Sequence, residues 1–106
     1  MCGIYGCISS DASARVLEGL RKLEYRGYDS AGLAAIFSEN EDPIETERTT
    51  GYVSDLVLKA NGRFDGARIS IGHTRWATHG GVTDYNAHPH SSEDGKLTIV
   101  HNGIIE

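Results

Sequence analysis

The chain has 106 residues, 39% of them hydrophobic and 24% charged, a balance that fits one small globular domain, or part of one, and excludes a disordered chain. The formal net charge is −5 with no basic block, which argues against a nucleic-acid partner or an anionic membrane surface. No apolar run approaches the ~20 residues that span a bilayer and no secretory signal precedes Cys2, so a cytoplasmic location with reduced thiols is expected.

The pattern predicts mixed α and β elements. Ile4 to Ser9 reads as a buried strand. Ser10 or Asp11 caps a helix running to about Glu24, with Val16, Leu17, Leu20 and Leu23 on one face and Arg15, Glu18, Arg21 and Lys22 on the other. Gly19 weakens that helix and is expected to permit close packing on the sheet. Gly27 ends the following turn, and Leu33 to Phe37 reads as a second apolar strand. Ser38 to Pro43 reads as a solvated acidic loop. Ile44 to Thr50 has the alternation of a partly exposed strand, Val53 to Lys59 reads as a short helix, and Asn61-Gly62 as a turn. Ile69 to Ile71 and Leu97 to Val100 read as buried strands, separated by a long loop from Thr74 to Gly95. Loops of that length in compact domains usually carry function. Cys2 and Cys7 fall on opposite faces of the first strand, so a disulfide between them is not expected, and Cys7 reads as a small core residue.

The chemistry concentrates at Cys2. Removal of Met1 leaves a residue that carries both a thiol and an α-amine, whose ordinary pKa of about 7.7–8.0 leaves a useful neutral fraction. Nucleophile and general base then share one residue. By position alone, Cys2 reads equally well as a small apolar residue starting a strand. Three further segments bear on it: Glu24 to Gly32, Gly72 to Gly81, and His101-Asn102-Gly103. Arg75 offers bidentate recognition of a carboxylate, and Thr78 and His79 offer hydrogen bonds. Asn102 offers an amide N–H₂ and Gly103 an unobstructed backbone N–H, a pair suited to an oxyanion. Each piece has a plainer meaning in isolation: Arg75 as a surface ion pair, Trp76 as a packing residue, Asn102-Gly103 as a hairpin turn.

Together these segments resemble the N-terminal glutaminase domain of the glutamine–fructose-6-phosphate aminotransferases. Met1-Cys2-Gly3-Ile4 is shared with the wider class of amidotransferases that use an N-terminal cysteine. Leu23 to Gly32, His73 to Gly80, and Asn86-Ala87-His88-Pro89-His90 are narrower to the family. The resemblance covers Met1 to Glu106 and is weakest from Ser38 to Arg68. It implies an α+β fold, a four-layer αββα sandwich of the N-terminal-nucleophile hydrolase type, with residues 1–106 its N-terminal portion. The rest of that domain and the sugar-isomerase domains are absent.

The same resemblance implies that Cys2 attacks the side-chain amide carbon of L-glutamine, its α-amine moving the proton. Asn102 and Gly103 form the oxyanion hole, and Arg75 holds the substrate α-carboxylate. Trp76, Thr78 and His79 belong to a loop that closes over the substrate, and Arg26 and Gly27 support the nucleophile's surroundings. A γ-glutamyl thioester forms, ammonia leaves, and hydrolysis gives glutamate, with no cofactor and no metal. Fructose 6-phosphate enters only through the absent domains, and the complete enzyme is a homodimer. An acidic residue that grips the substrate α-amine lies beyond Glu106.

Two other classes compete. One is a metal-binding module: there are five His residues, and His88-Pro89-His90 sets two imidazoles on one side of an extended segment, with His73, His79 and Cys2 as recruits. No paired-cysteine or helical histidine spacing supports it. The other is a non-catalytic half-domain whose exposed edge, such as Leu97 to Val100, binds a complementary chain.

Overall fold

The computed structural model describes residues 2–26, 29–37, 43–76, 82–83 and 86–102. Small and β-branched residues between turn signals build the central sheet. Its strands are Gly3–Ile8 (β1), Ser30–Ile36 (β2), Glu45–Thr50 (β3) and Ile69–Arg75 (β4), in the order β1-β4-β2-β3. Every neighbouring pair is antiparallel. Two helices, Ala12–Leu23 (α1) and Val53–Ala60 (α2), complete a small α+β domain. Val16 and Leu20 of α1, Val53, Leu56 and Ala60 of α2, and Ala31, Leu33 and Ala35 of β2 form one buried cluster with Phe64 and Ala67. Both helices therefore cover the same face of the sheet. Burying each of the larger aliphatic side chains contributes about 1.5–3 kcal/mol.

Asp11 sits at the N-cap of α1, but its carboxylate does not cap the helix. It accepts instead from the Arg15 guanidinium at 2.7 Å and the Ser9 hydroxyl at 2.5 Å. These two bonds, Ser9 first, hold the Asp11 carboxyl below its usual range. In α2 the Asp55 carboxylate accepts the Tyr52 backbone N–H at 2.8 Å, and Asn61 ends the helix in the left-handed region at φ 46°.

Gly19 does bring α1 close to the sheet: a Cβ there would lie 2.5 Å from Cε2 of Tyr5 in β1. From the sheet side, a Cβ on Gly72 of β4 would lie 2.5 Å from the Val16 side chain. On the opposite face, a Cβ on Gly32 would overlap the His88 carbonyl oxygen. The 86–89 segment therefore lies directly on β2, and Arg48 of β3 secures it by donating to the Ala87 carbonyl at 3.3 Å. Beyond that segment, His90–Ser91 (β5) and Thr98–Ile99 (β6) pair as a small antiparallel ladder.

Several expectations change: β2 begins at Ser30 instead of Leu33, and β5 interrupts the loop expected from Thr74 to Gly95. β4 extends to Arg75 instead of stopping at Ile71, because Gly72 to Thr74 find antiparallel partners on both β1 and β2 and Arg75 pairs with Ser30 of β2. β1 is half-exposed, with Ile4 45% and Ile8 81% accessible, since it is an edge strand. The strand expected over Leu97 to Val100 shrinks to β6, with Leu97 69% and Ile99 53% exposed. In both places the face away from the helices has no complete covering layer among the described residues. A cleft of about 250 Å³ opens there, lined by Ile36, Ile44, Ile69, Ile71 and Leu97. The loop expected over residues 38–43 lies outside the described residues except for Pro43.

Gly32 and Gly6 separate close approach from ordinary glycine cost. At Gly6 a Cβ would meet Ile71 at 3.7 Å, a normal contact. Gly6→Ala is expected to leave the unfolding free energy from urea titration within about 0.5 kcal/mol of the native value. Gly32→Ala, which forces backbone apart, is expected to lose about 1–3 kcal/mol. Equal midpoints for the two variants would contradict the packing of the 86–89 segment on β2.

Candidate active site

Cys2 lies just before β1, and the register of β1 on β4 sets its surroundings. Gly3 pairs with Thr74, so Cys2 comes beside the end of β4. Its Sγ lies 3.8 Å from the Trp76 carbonyl oxygen, a thiol-donor geometry. The Asn102 side chain donates through Nδ2 to the Cys2 carbonyl at 3.2 Å across a sequence separation of 100 residues. Cys2 thus contacts two other sequence-predicted positions, Trp76 and Asn102.

Arg75 closes β4 opposite Ser30. Its carbonyl accepts the Asp29 N–H at 2.6 Å, which continues the strand pairing by one residue and fixes the backbone from which the guanidinium projects. Trp76 is 48% exposed. Arg26 ends a 3-10 turn, Glu24–Arg26, directly after α1. The Arg26 side chain, Gly27, Thr78, His79 and Gly103 lie outside the described residues.

Alternation along β4 puts His73 on the same face as Arg75. His73 is fully buried, and its Nε2 lies 2.9 Å from Asn102 Oδ1. Its ring stacks on His88 with centroids 4.3 Å apart at 29°, and His88 in turn lies against His90 at 4.5 Å. The His88 Nδ1 accepts the His101 backbone N–H at 3.3 Å. Among the described residues, no three His, Cys, Asp or Glu side chains are placed to share a metal ion. The apolar cleft described above lies at the Ile69 end of β4, away from this cluster.

Electrostatics keeps these rings neutral. Burial holds His73 below the ordinary imidazole value, against the opposing bond to Asn102. Burial pushes His88 down to about 4, with the neighbouring His73 and His90 charges adding to it. Burial also lowers His90, with Arg48 next. The positive charge of Arg75 acts on all three rings in the same direction.

No protein-family model matches the chain. Curated relatives do. The chain is 54% identical to a glutamine–fructose-6-phosphate aminotransferase (isomerizing) of Idiomarina loihiensis. It is 51% identical to proteins of the same name from Leifsonia xyli subsp. xyli and Clostridium tetani. Each match covers 100% of the chain and 17% of the relative. Along its whole length the chain is homologous to a part of the glutamine–fructose-6-phosphate aminotransferases. It spans about one-sixth of the length of these aminotransferases. Among the described residues, no helix is long and apolar enough to cross a membrane.

The sequence marked His73 and His88 as positions in family motifs and as candidates for a metal, with no role assigned to either ring. Their contact with the 101–102 segment was not anticipated. A signal was present, since His73 sits two residues before Arg75 and strand alternation turns it to the same side, but that signal depends on β4 extending past Ile71.

The lowered histidines set a direction for acid stability. Below the usual imidazole pKa of about 6.5 the unfolded chain binds protons that the folded chain refuses, so stability falls as pH drops. The fall continues until His88 titrates in the folded state at about 4. Urea midpoints are expected to decline from pH 6.5 to pH 4. His88→Asn, which keeps an acceptor for the His101 N–H, should flatten that decline. A variant as acid-sensitive as the native chain would remove His88 as its source.

Proposed function

We propose that this chain is the nucleophile-bearing part of a glutaminase. Cys2, freed of Met1, hydrolyses L-glutamine to glutamate and ammonia. The observation that carries the reading is the convergence of Cys2, Asn102 and the Arg75-Trp76 strand end, in a chain whose relatives are named as glutamine–fructose-6-phosphate aminotransferases.

The α-amine of Cys2 accepts the thiol proton, and Sγ bonds to the side-chain amide carbon of glutamine. The charge that develops on the amide oxygen is received by the Asn102 amide N–H not used on Cys2, and by the Gly103 N–H. Arg75 binds the α-carboxylate in a fork geometry that Lys does not reproduce, with Trp76, Thr78 and His79 beside it and Arg26 and Gly27 supporting. The C–N bond breaks, the amine nitrogen takes a proton from the Cys2 ammonium, and ammonia leaves a γ-glutamyl thioester. Water cleaves that thioester to glutamate and restores the thiol. No metal or cofactor enters these steps. In a complete enzyme the ammonia passes to fructose 6-phosphate through domains outside residues 1–106, in a cytoplasmic homodimer.

The exposed Ile4, Ile8, Leu97 and Ile99 support a four-layer αββα sandwich in which residues 1–106 supply one helical layer, one sheet and part of the second. The same surface favours a second reading, a half-domain that pairs with a complementary chain. Sedimentation is expected to show self-association that an exposed-face variant, Ile8→Lys with Ile99→Lys, reduces. A native chain that stays monomeric at high concentration would count against the missing layer.

The chemistry is tested by intact mass and peptide mapping after incubation with a glutamine-analogue electrophile. A single adduct on an N-terminal Cys2 is expected, with Cys7 unmodified and no adduct in Cys2→Ala. An adduct on Cys7 alone, or none on the folded chain, would overturn the reading.

A further inference from the structure

Asn102 is exposed and stands on a segment without regular structure, an unsuitable support for a group that must present an N–H in a fixed direction. A primary amide has nearly the same shape when its oxygen and nitrogen exchange places. The wrong orientation would aim a lone pair at a developing negative charge. Something must select the orientation, and the surroundings contain two selectors.

The Cys2 carbonyl can only accept, so the amide nitrogen faces it at 3.2 Å. This puts Oδ1 2.9 Å from His73 Nε2. An amide oxygen can only accept, so the proton of neutral His73 resides on Nε2. Its Nδ1 is then a bare lone pair, buried and without a hydrogen-bond partner among the described residues. A tautomer with the proton on Nδ1 would bury an unsatisfied N–H and also set two acceptors against each other at Asn102, at a cost of about 1–3 kcal/mol for each unsatisfied group. His88 stacks on the His73 ring and takes the N–H of the residue before Asn102. One ring therefore orients the amide, while the other supports that ring and the backbone.

We propose that His73, supported by His88, is a positioning residue that fixes the Asn102 amide with Nδ2, not Oδ1, toward Cys2. The proposal rests on Asn102 acting as the oxyanion donor, and His73 itself touches no reacting atom.

The test uses the native chain, His73→Gln, which retains an amide N–H near the Nε2 position, and His73→Leu, which retains bulk but no donor. Ring nitrogen shifts in the labelled native chain are expected to report the Nε2–H tautomer. Exchange of the Asn102 side-chain protons is expected to be slow in the native chain and His73→Gln, and faster in His73→Leu. The rate of Cys2 modification by a glutamine-analogue electrophile, divided by its rate with iodoacetamide, is expected to fall about tenfold in His73→Leu, the worth of one hydrogen bond. His73→Gln should recover most of it. The iodoacetamide rate, which needs no oxyanion donor, should stay the same, a split that general loosening of the site would not give.

An Nδ1–H tautomer in the native chain overturns the proposal. So does a folded His73→Leu with unchanged Asn102 signals and an unchanged ratio. If His73→Leu does not fold, the native tautomer and the Asn102 exchange in His73→Gln decide. If the native chain forms no glutamine-analogue adduct, the glutaminase reading fails, while the tautomer and exchange data still judge the His73–Asn102 contact.

Discussion

The pairing of β1 with β4 is the constraint on which the rest of the molecule depends. Gly3 opposite Thr74 and Ile8 opposite Ile69 set a register that a one-residue slip would invert, sending every side chain of β1 to the other face. That register places Cys2 at the end of β4, where the Trp76 carbonyl and Asn102 meet it. It also lays Tyr5 against Gly19, so the helix layer holds the register from above. One interface thus fixes the core and the candidate nucleophile together.

The two faces of the sheet serve different ends. Toward the helices, Leu33, Ala31 and Ala35 close against Val16, Leu20 and Leu56 in a dry cluster. Away from them, the sheet carries His73 and Arg75, with the 86–89 segment pressed on Gly32. Hydrogen bonds to the 101–102 segment satisfy part of the polar chemistry on that face. The same face leaves Ile8 and Leu97 in solvent, so it combines a built cluster at one end with an uncovered apolar surface at the other.

Much of this was legible in the chain. The helical spacing of Val16, Leu17, Leu20 and Leu23 located α1, and Asn61-Gly62 marked the end of α2. Motif resemblance singled out Cys2, Arg75, Trp76 and Asn102 before any geometry. The second half of β4 was not legible, because Gly72-His73-Thr74-Arg75 has no apolar alternation. Its strand character comes from pairing with β2 throughout and with β1 as far as Thr74, a tertiary effect. The exposure of β1 was equally hidden, since Ile4 and Ile8 carry the composition of buried positions and only sheet order makes them an edge. The imidazole contacts needed both facts.

The edge position of β1 has a dynamic corollary. Within the described sheet it has a neighbour on one side only, so its outward amides exchange with solvent without the sheet opening. Freeing Cys2 requires peeling one strand end, a local event far cheaper than global unfolding. Release of the thiol thus disturbs only the Trp76 and Asn102 contacts at the start of β1, whereas the register that sets its position is held along the whole strand.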